Sequence, residues 1–192
     1  KELTDKHKYK NKPFMVSSIP NTSTTAAIVY ANTLDIQYDQ FIEKNKDVNR
    51  TFIITDNNER QNYSREKYLI DSNKITGNNI ILVDDSIVRG TTIKNLVSLL
   101  KQHKPNSIHI RVAAPPIIST CNLGIDIPTK DELIYNHHSD PEKLREYLDV
   151  DTVKYLKTSH LKKIFTNQKD KSHSMCMGCI TGDYSLDKSL EW

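Results

Sequence analysis

Asn79-Ile80-Ile81-Leu82-Val83-Asp84-Asp85-Ser86-Ile87-Val88-Arg89-Gly90-Thr91-Thr92 is an apolar run that ends in two carboxylates, followed by a short loop with one glycine. The run does not alternate polar with apolar residues, so it reads as a strand buried on both faces, with its carboxyl end at a site. Downstream, Ile93, Leu96, Val97, Leu99 and Leu100 fall on one helical face, and Ser107 to Ala113 reads as the next strand, ended by Pro115-Pro116. Strand, helix and strand at this spacing imply a right-handed crossover and a parallel sheet. Upstream, Met15 to Ile19 is a short β-prone stretch stopped by Pro20, and Thr24 to Leu34 carries Ala26, Ala27, Val29, Tyr30 and Leu34 with helical spacing. The expected fold class is α/β: a mainly parallel twisted sheet flanked by helices.

The remainder is less regular. Lys44 to Lys74 is polar apart from Thr51-Phe52-Ile53-Ile54 and reads largely as a long loop of the kind that serves function. Thr129, with Glu132 three residues on, has the pattern of a capping box opening a helix, and a second helix is expected near Asp140-Pro141-Glu142. The Lys-rich stretch from Lys154 to Lys171 reads as a solvated helix surface or a connector, and His137-His138 as exposed loop histidines. One domain is expected over residues 1–192, with 154–192 as a C-terminal extension carrying a cysteine pair. A start at Lys1 without Met points to a segment of a longer product.

Composition excludes several classes. A chain of 192 residues with 27% charged and 36% hydrophobic residues is that of an ordinary soluble domain. A net charge of +3 from a mixed Lys, Glu and Asp background does not point to nucleic acid, though it leaves an anionic small molecule open. No apolar run approaches the roughly 20 residues of a membrane span, and Lys1-Glu2-Leu3-Thr4-Asp5-Lys6 is too polar for a secretory signal, so a cytoplasmic location is expected. Three cysteines argue against a disulfide framework and leave thiols or metal ligands.

The acidic pair and the loop after it have the parts of a sugar-phosphate site. Paired carboxylates grip ribose hydroxyls and a Mg2+, while backbone N–H groups at a helix start, with Gly90 and the Thr91 and Thr92 hydroxyls, wrap a phosphate. Neither GxxxxGK nor GxGxxG is present, so this is not a Walker loop or a dinucleotide fingerprint. On local chemistry alone, Asp85 and Thr91 acting merely as helix caps is an equally good account.

Ile81 to Thr92 resembles the phosphoribosyl-pyrophosphate motif of the amidophosphoribosyltransferase family. The likeness continues through Arg111-Val112-Ala113-Ala114-Pro115-Pro116, Cys121 to Ile134, and Cys176-Met177-Gly178-Cys179-Ile180-Thr181-Gly182-Asp183-Tyr184. Upstream, Val16 to Ser23 is similar to the family's pyrophosphate-side loop, and Lys44-Asn45 with Arg50-Thr51-Phe52-Ile53 to the start of its mobile loop. The resemblance implies a type I phosphoribosyltransferase fold and the first step of de novo purine (IMP) biosynthesis. In that step ammonia derived from glutamine displaces pyrophosphate from phosphoribosyl pyrophosphate to give phosphoribosylamine. It implies Thr22, Asp84 and Asp85 at a Mg2+. Ser86, Ile87, Val88, Arg89, Gly90, Thr91 and Thr92 would lie at the 5′-phosphate, and Lys44, Arg50 and Arg60 near the pyrophosphate. It further implies a homo-oligomer, purine nucleotides as inhibitors, and a glutaminase domain in cis or in trans that nothing in these 192 residues resembles.

By itself Cys176-x-x-Cys179 is divided between metal binding and incidental thiols. In the iron–sulfur branch of the family, cysteines at the positions of Cys121, Cys176 and Cys179 bind a 4Fe-4S cluster with a fourth ligand, which would fall upstream of Lys1. Against the family pattern, Asn21 replaces an acidic residue, Lys46-Asp47 an Arg-Tyr pair, and Asn49 a glycine. Asp47 brings negative charge near a pyrophosphate. These departures are what a catalytically degenerate binding module would show, the second reading beside an enzyme. A salvage transferase acting on a free base is disfavoured by Cys121 and the C-terminal segment.

Overall fold

A computed structural model describes residues 13–45, 67–121, 123–124, 129–166 and 176–184. Its centre is a five-stranded sheet with strand order β2-β1-β5-β6-β7, every neighbouring pair parallel. The strands are β1 (Phe14–Ser18), β2 (Gln37–Tyr38), β5 (Asn79–Asp84), β6 (Ser107–Val112) and β7 (Thr152–Tyr155). Between them in the chain, β3 (Ile42–Lys44) and β4 (Tyr68–Ile70) form a separate antiparallel ribbon.

All of β5 from Asn79 to Val83 is buried, as its uninterrupted apolar run requires. Ile80 and Leu82 point to one face, with Ile108, Ile110, Val112 and Val153 of the neighbouring strands. This face is covered by Ile93, Leu96, Val97 and Leu100 of α3 (Thr91–Gln102) and by Leu144 and Leu148 of α5 (Pro141–Leu148). Ile81 and Val83 point to the other face, against Ala27 and Ala31 of α1 (Thr24–Leu34). The small α2 (Ser72–Ile75), α4 (Ile134–His137) and α7 (Gly178–Thr181), with α6 (Thr158–Thr166), complete the helices among the described residues.

Several sequence expectations change. Lys44 to Lys74 is not simply loop: Tyr68–Ile70 pairs with Ile42–Lys44, and Ser72–Ile75 is a helical turn whose N-cap Asp71 accepts from the Asn73 amide at 3.1 Å. The Thr129 capping box does not form. Thr129 Oγ1 donates to Glu132 Oε1 at 3.3 Å, the other carboxylate oxygen takes Arg89 Nε at 2.8 Å, and Lys130–Glu132 winds as a 3-10 turn before α4. Asp140, by contrast, caps α5 by accepting from the Glu142 amide at 2.9 Å, with Pro141 at the first helical position.

The Lys-rich stretch begins inside the sheet, because Lys154 and Tyr155 belong to β7 and pair with Arg111 and Val112. Any C-terminal extension therefore starts after Tyr155. His138 is not a free loop residue, since it stacks on Tyr147 with ring centroids 4.3 Å apart, while His137 ends α4. Among the described residues no helix is long and apolar enough to cross a membrane.

Candidate functional site: an acidic pair and a phosphate loop at the switch point

The chain leaves β1 towards β2 on one side of the sheet and leaves β5 towards β6 on the other. The carboxyl ends of β1 and β5 therefore flank the point where strand order reverses, which is where ligands bind in open parallel sheets. Ile19 to Thr22 follows β1, and Asp84 to Thr92 spans the end of β5 and the start of α3. The two segments are stitched together by the Ile19 amide donating to Val83 O at 3.0 Å and Ser23 Oγ donating to the same carbonyl at 2.6 Å.

Between them lies a cleft of 410 Å³, lined by Ile19 to Thr22, Lys44, Lys67, Tyr68 and the whole of Asp84 to Ile93. Thr22, Lys44, Asp84, Asp85, Ser86, Ile87, Val88, Arg89, Gly90, Thr91 and Thr92 are thus brought to one cavity, while Arg50 and Arg60 lie outside the described residues. Lys67 and Tyr68 also line the cavity, at a strand start that a loop reading of Lys44 to Lys74 hides. The signal was there in Tyr68-Leu69-Ile70, three β-prone residues bounded by Lys67 and Asp71.

Asp84 shares the sheet face of Ile80 and Leu82, so its carboxylate leans on the core edge. Burial, and then the neighbouring Asp85 carboxylate, push its pKa up to about 7. The Asp85 amide donates to Asp84 Oδ1 at 2.9 Å and Thr22 Oγ1 lies 3.5 Å from the same oxygen, both favouring the charged form without cancelling the rise. Burial and then Asp84 raise the phenol pKa of Tyr68 across the cleft. Ser86 Oγ donates to Asp85 Oδ1 at 3.2 Å.

The loop is shaped by one glycine. Gly90 is the N-cap of α3 with φ of +77°, and a Cβ there would meet Ile134 Cδ1 at 2.2 Å. Positive φ and close contact together leave room only for glycine. The Ile134 amide donates to Val88 O at 2.9 Å, and Arg89 pairs with Glu132, so the 3-10 turn and α4 form the loop's outer support. Arg89 lines the cleft, but its guanidinium points to Glu132. Ile87 is 4% exposed and its side chain belongs to the core, which leaves its backbone to face the cavity. Asn21 holds φ of +68°, a conformation asparagine tolerates better than most residues.

The donors fit Mg2+. Asp84 and Asp85 are hard oxygen ligands, and no group of three or more His, Cys, Asp or Glu residues able to hold a metal is found among the described residues. The remaining positions would fall to substrate oxygens and water, the usual way Mg2+ is bound.

The cysteines lie elsewhere. Cys179 O accepts from the amides of Ile118 and Ser119 at 2.9 and 3.1 Å, which joins α7 to the segment leading to Cys121. All three thiols are free, and burial, then Cys121, with a lesser contribution from Cys176, raise the Cys179 pKa. They are within electrostatic reach of one another but do not form a closed metal-binding group, so the residues described here do not by themselves fit a cluster.

A parallel α/β sheet with an acidic pair and a glycine-shaped loop at its switch point defines a phosphoribosyltransferase-type domain. The chain belongs to the phosphoribosyl transferase domain family, whose pattern matches residues 1–121. Within that family it is similar to amidophosphoribosyltransferases, being 38% identical over 201 residues to the Homo sapiens protein, across 93% of this chain and 38% of that one. It is 36% identical over 174 residues to the Bacillus subtilis protein, across 90% of this chain and 36% of that one. Among solved structures it is similar to the glutamine phosphoribosylpyrophosphate amidotransferase of B. subtilis complexed with ADP and GMP, with a TM-score of 0.77 and 34% identity over 93% of this chain and 40% of that one. The chain spans about two fifths of the length of the curated relatives it matches.

The raised Asp84 pKa predicts how stability responds to pH. The folded state holds the proton more tightly than the unfolded chain, so this contribution is full below pH 4 and is lost as pH rises towards about 7. In EDTA, wild type should become less stable from pH 5 to pH 7 by up to about 1.4 kcal/mol per unit through this group, and Asp84→Asn should remove that part of the slope and be the more stable at pH 8. Equal slopes in denaturant titrations of the two proteins would contradict the assignment.

Proposed function

We propose that this chain is the transferase part of an amidophosphoribosyltransferase, binding phosphoribosyl pyrophosphate and catalysing formation of phosphoribosylamine, the first step of de novo purine (IMP) biosynthesis. The observation that carries the reading is one cleft in which Asp84 and Asp85, the Ser86 to Thr92 loop and two lysines on the facing ribbon converge.

In this reading the backbone N–H groups of the loop and the Thr91 and Thr92 hydroxyls bind the 5′-phosphate at the start of a 12-residue helix, where the helix dipole favours an anion. Asp84 and Asp85 accept hydrogen bonds from the ribose hydroxyls. They are also, with Thr22, the residues that would hold Mg2+, which when bound would offset part of the pyrophosphate charge. Lys44 and Lys67 bring positive charge from the opposite wall, and Arg50 and Arg60 are proposed to add to it. The nitrogen lone pair of ammonia forms the bond to the anomeric carbon as the carbon–oxygen bond to pyrophosphate breaks. Pyrophosphate leaves with the bonding electrons, and the nitrogen then loses a proton. No protein nucleophile takes part. The side chains orient the sugar and stabilise the charge of the departing group.

Ammonia is the direct co-substrate of this part, and a glutaminase domain in cis or in trans is its proposed source from glutamine. A cytoplasmic homo-oligomer inhibited by purine nucleotides completes the proposal, the last point supported by the ADP and GMP bound to the B. subtilis relative. The binding-module reading draws on Asn21, which lines the cleft where the family usually has an acidic residue.

Ammonia-dependent release of pyrophosphate from phosphoribosyl pyrophosphate separates enzyme from binder. Wild type joined to its glutaminase part should turn over, and Asp84→Asn should lose roughly a hundredfold or more in rate, the scale of removing one transition-state contact. Binding without turnover in wild type would establish the binding module instead. A 4Fe-4S cluster is proposed only for a longer chain that brings a fourth cysteine to Cys121, Cys176 and Cys179. Made anaerobically, that protein should contain about four irons per chain and absorb in the visible, whereas a colourless, iron-free product would remove the cluster.

A further inference from the structure

We infer that Gln40 is a positioning residue for the phosphoribosyl pyrophosphate site, an inference that rests on the reading of the cleft given above. Lys44 ends β3 and Lys67 directly precedes β4, and this ribbon forms a sheet separate from the one whose β5 ends in Asp84. Something other than a strand ladder must therefore set the distance between the two walls of the cleft. Burial of Phe41 and Ile42 anchors the ribbon but is not directional.

The Gln40 amide supplies direction. Its Nε2 donates to Ser18 O at 3.2 Å and to Ile42 O at 2.5 Å, and its Oε1 accepts from Ser18 Oγ at 2.5 Å and Tyr38 Oη at 2.6 Å. Both N–H groups and the carbonyl oxygen are thus engaged. Ser18 is the last residue of β1, one step before the Ile19 to Thr22 segment that lines the cleft, and its Oγ lies 3.3 Å from Thr24 Oγ1 at the start of α1. Ile42 is the first residue of β3, two residues before Lys44. The connection reaches Lys67 through the Asn45 amide, which donates to Lys67 O at 2.9 Å. One side chain joins the end of β1, and through Ser18 the start of α1, to the cationic wall, and its hydrogen bonds go to Ser18, Tyr38 and Ile42 rather than to residues proposed to meet substrate. The network is fully satisfied, so losing part of it leaves half-buried polar groups without partners.

Gln40 therefore acts on the pyrophosphate end of the ligand, where the lysines face, and not on the phosphate loop after β5. Gln40→Glu is the informative variant. It keeps the shape and the acceptor oxygen, yet sets carboxylate oxygen against the carbonyls of Ser18 and Ile42. Calorimetric titration of wild type and Gln40→Glu with phosphoribosyl pyrophosphate in Mg2+, and separately with ribose 5-phosphate, reads the two ends apart. The variant should bind phosphoribosyl pyrophosphate about fivefold or more weakly, the scale of one or two hydrogen bonds, and ribose 5-phosphate as wild type does. Tyr38→Phe removes a single donor and should shift the same ligand in the same direction by about twofold, which carries the comparison should Gln40→Glu not fold. Equal weakening of both ligands would reduce Gln40 to a structural residue, and unchanged affinity for phosphoribosyl pyrophosphate would also overturn the inference. Wild type binding neither ligand would instead sink the reading of the cleft, and the inference with it.

Discussion

Two carboxylates at the end of a buried strand are the constraint on which the rest of this structure turns. β5 is apolar through Val83, and its next residue on the α3-covered face is Asp84, raised to about pKa 7 by burial and by Asp85. Asp84 accepts from a threonine hydroxyl and its neighbour's amide and faces the exposed Asp85 carboxylate, so the fold bears the cost of one largely desolvated carboxylate beside a second. Such a cost is characteristic of a site whose charge is balanced by what it binds. The sheet order places that pair at the switch point. The lysine-bearing ribbon across the cleft, which begins a few residues after the end of β2, supplies charge of the opposite sign.

The loop after the acidic pair depends on packing from outside as much as on its own sequence. Gly90 adopts a left-handed conformation and lies against Ile134, and Ile134 in turn holds Val88 through a backbone hydrogen bond. Arg89, which from sequence belongs to the phosphate site, spends its guanidinium on Glu132. The pair is half exposed on both sides and contributes little stability, but it explains why Glu132 does not complete a capping box with Thr129. Where a helix start is expected, a 3-10 turn whose Glu132 carboxylate is shared by Arg89 and Thr129 supports the phosphate loop.

Long periodic segments were legible without coordinates because burial enforces their pattern: Thr24 to Leu34 and the helix after Gly90 appear with nearly the expected bounds. Strands shorter than five residues were not legible, although the five-residue β1 was. Tyr68–Ile70 and Thr152–Tyr155 span three and four residues, each with an exposed residue, and take their structure from partners distant in sequence. Thr152 is specified by tertiary contacts, accepting from Arg111 Nη1 at 2.8 Å and lying 2.9 Å from His109 Nδ1. The strand and loop that carry Asp84 and Asp85 to the cleft were legible, whereas Lys67 and Tyr68 became visible only once the ribbon was paired. The cysteine spacing left a metal site open with a fourth ligand outside these residues, and the three thiols among the described residues form no such group by themselves.

The central claim is that the acidic pair and the loop after it hold a ribose 5-phosphate moiety. A crystal structure of the chain with ribose 5-phosphate tests it most directly. The account predicts the phosphate within hydrogen-bonding distance of the backbone N–H groups between Ile87 and Thr92, with the ribose hydroxyls on Asp84 and Asp85. A phosphate bound elsewhere, with the Ser86 to Thr92 loop untouched, would contradict it.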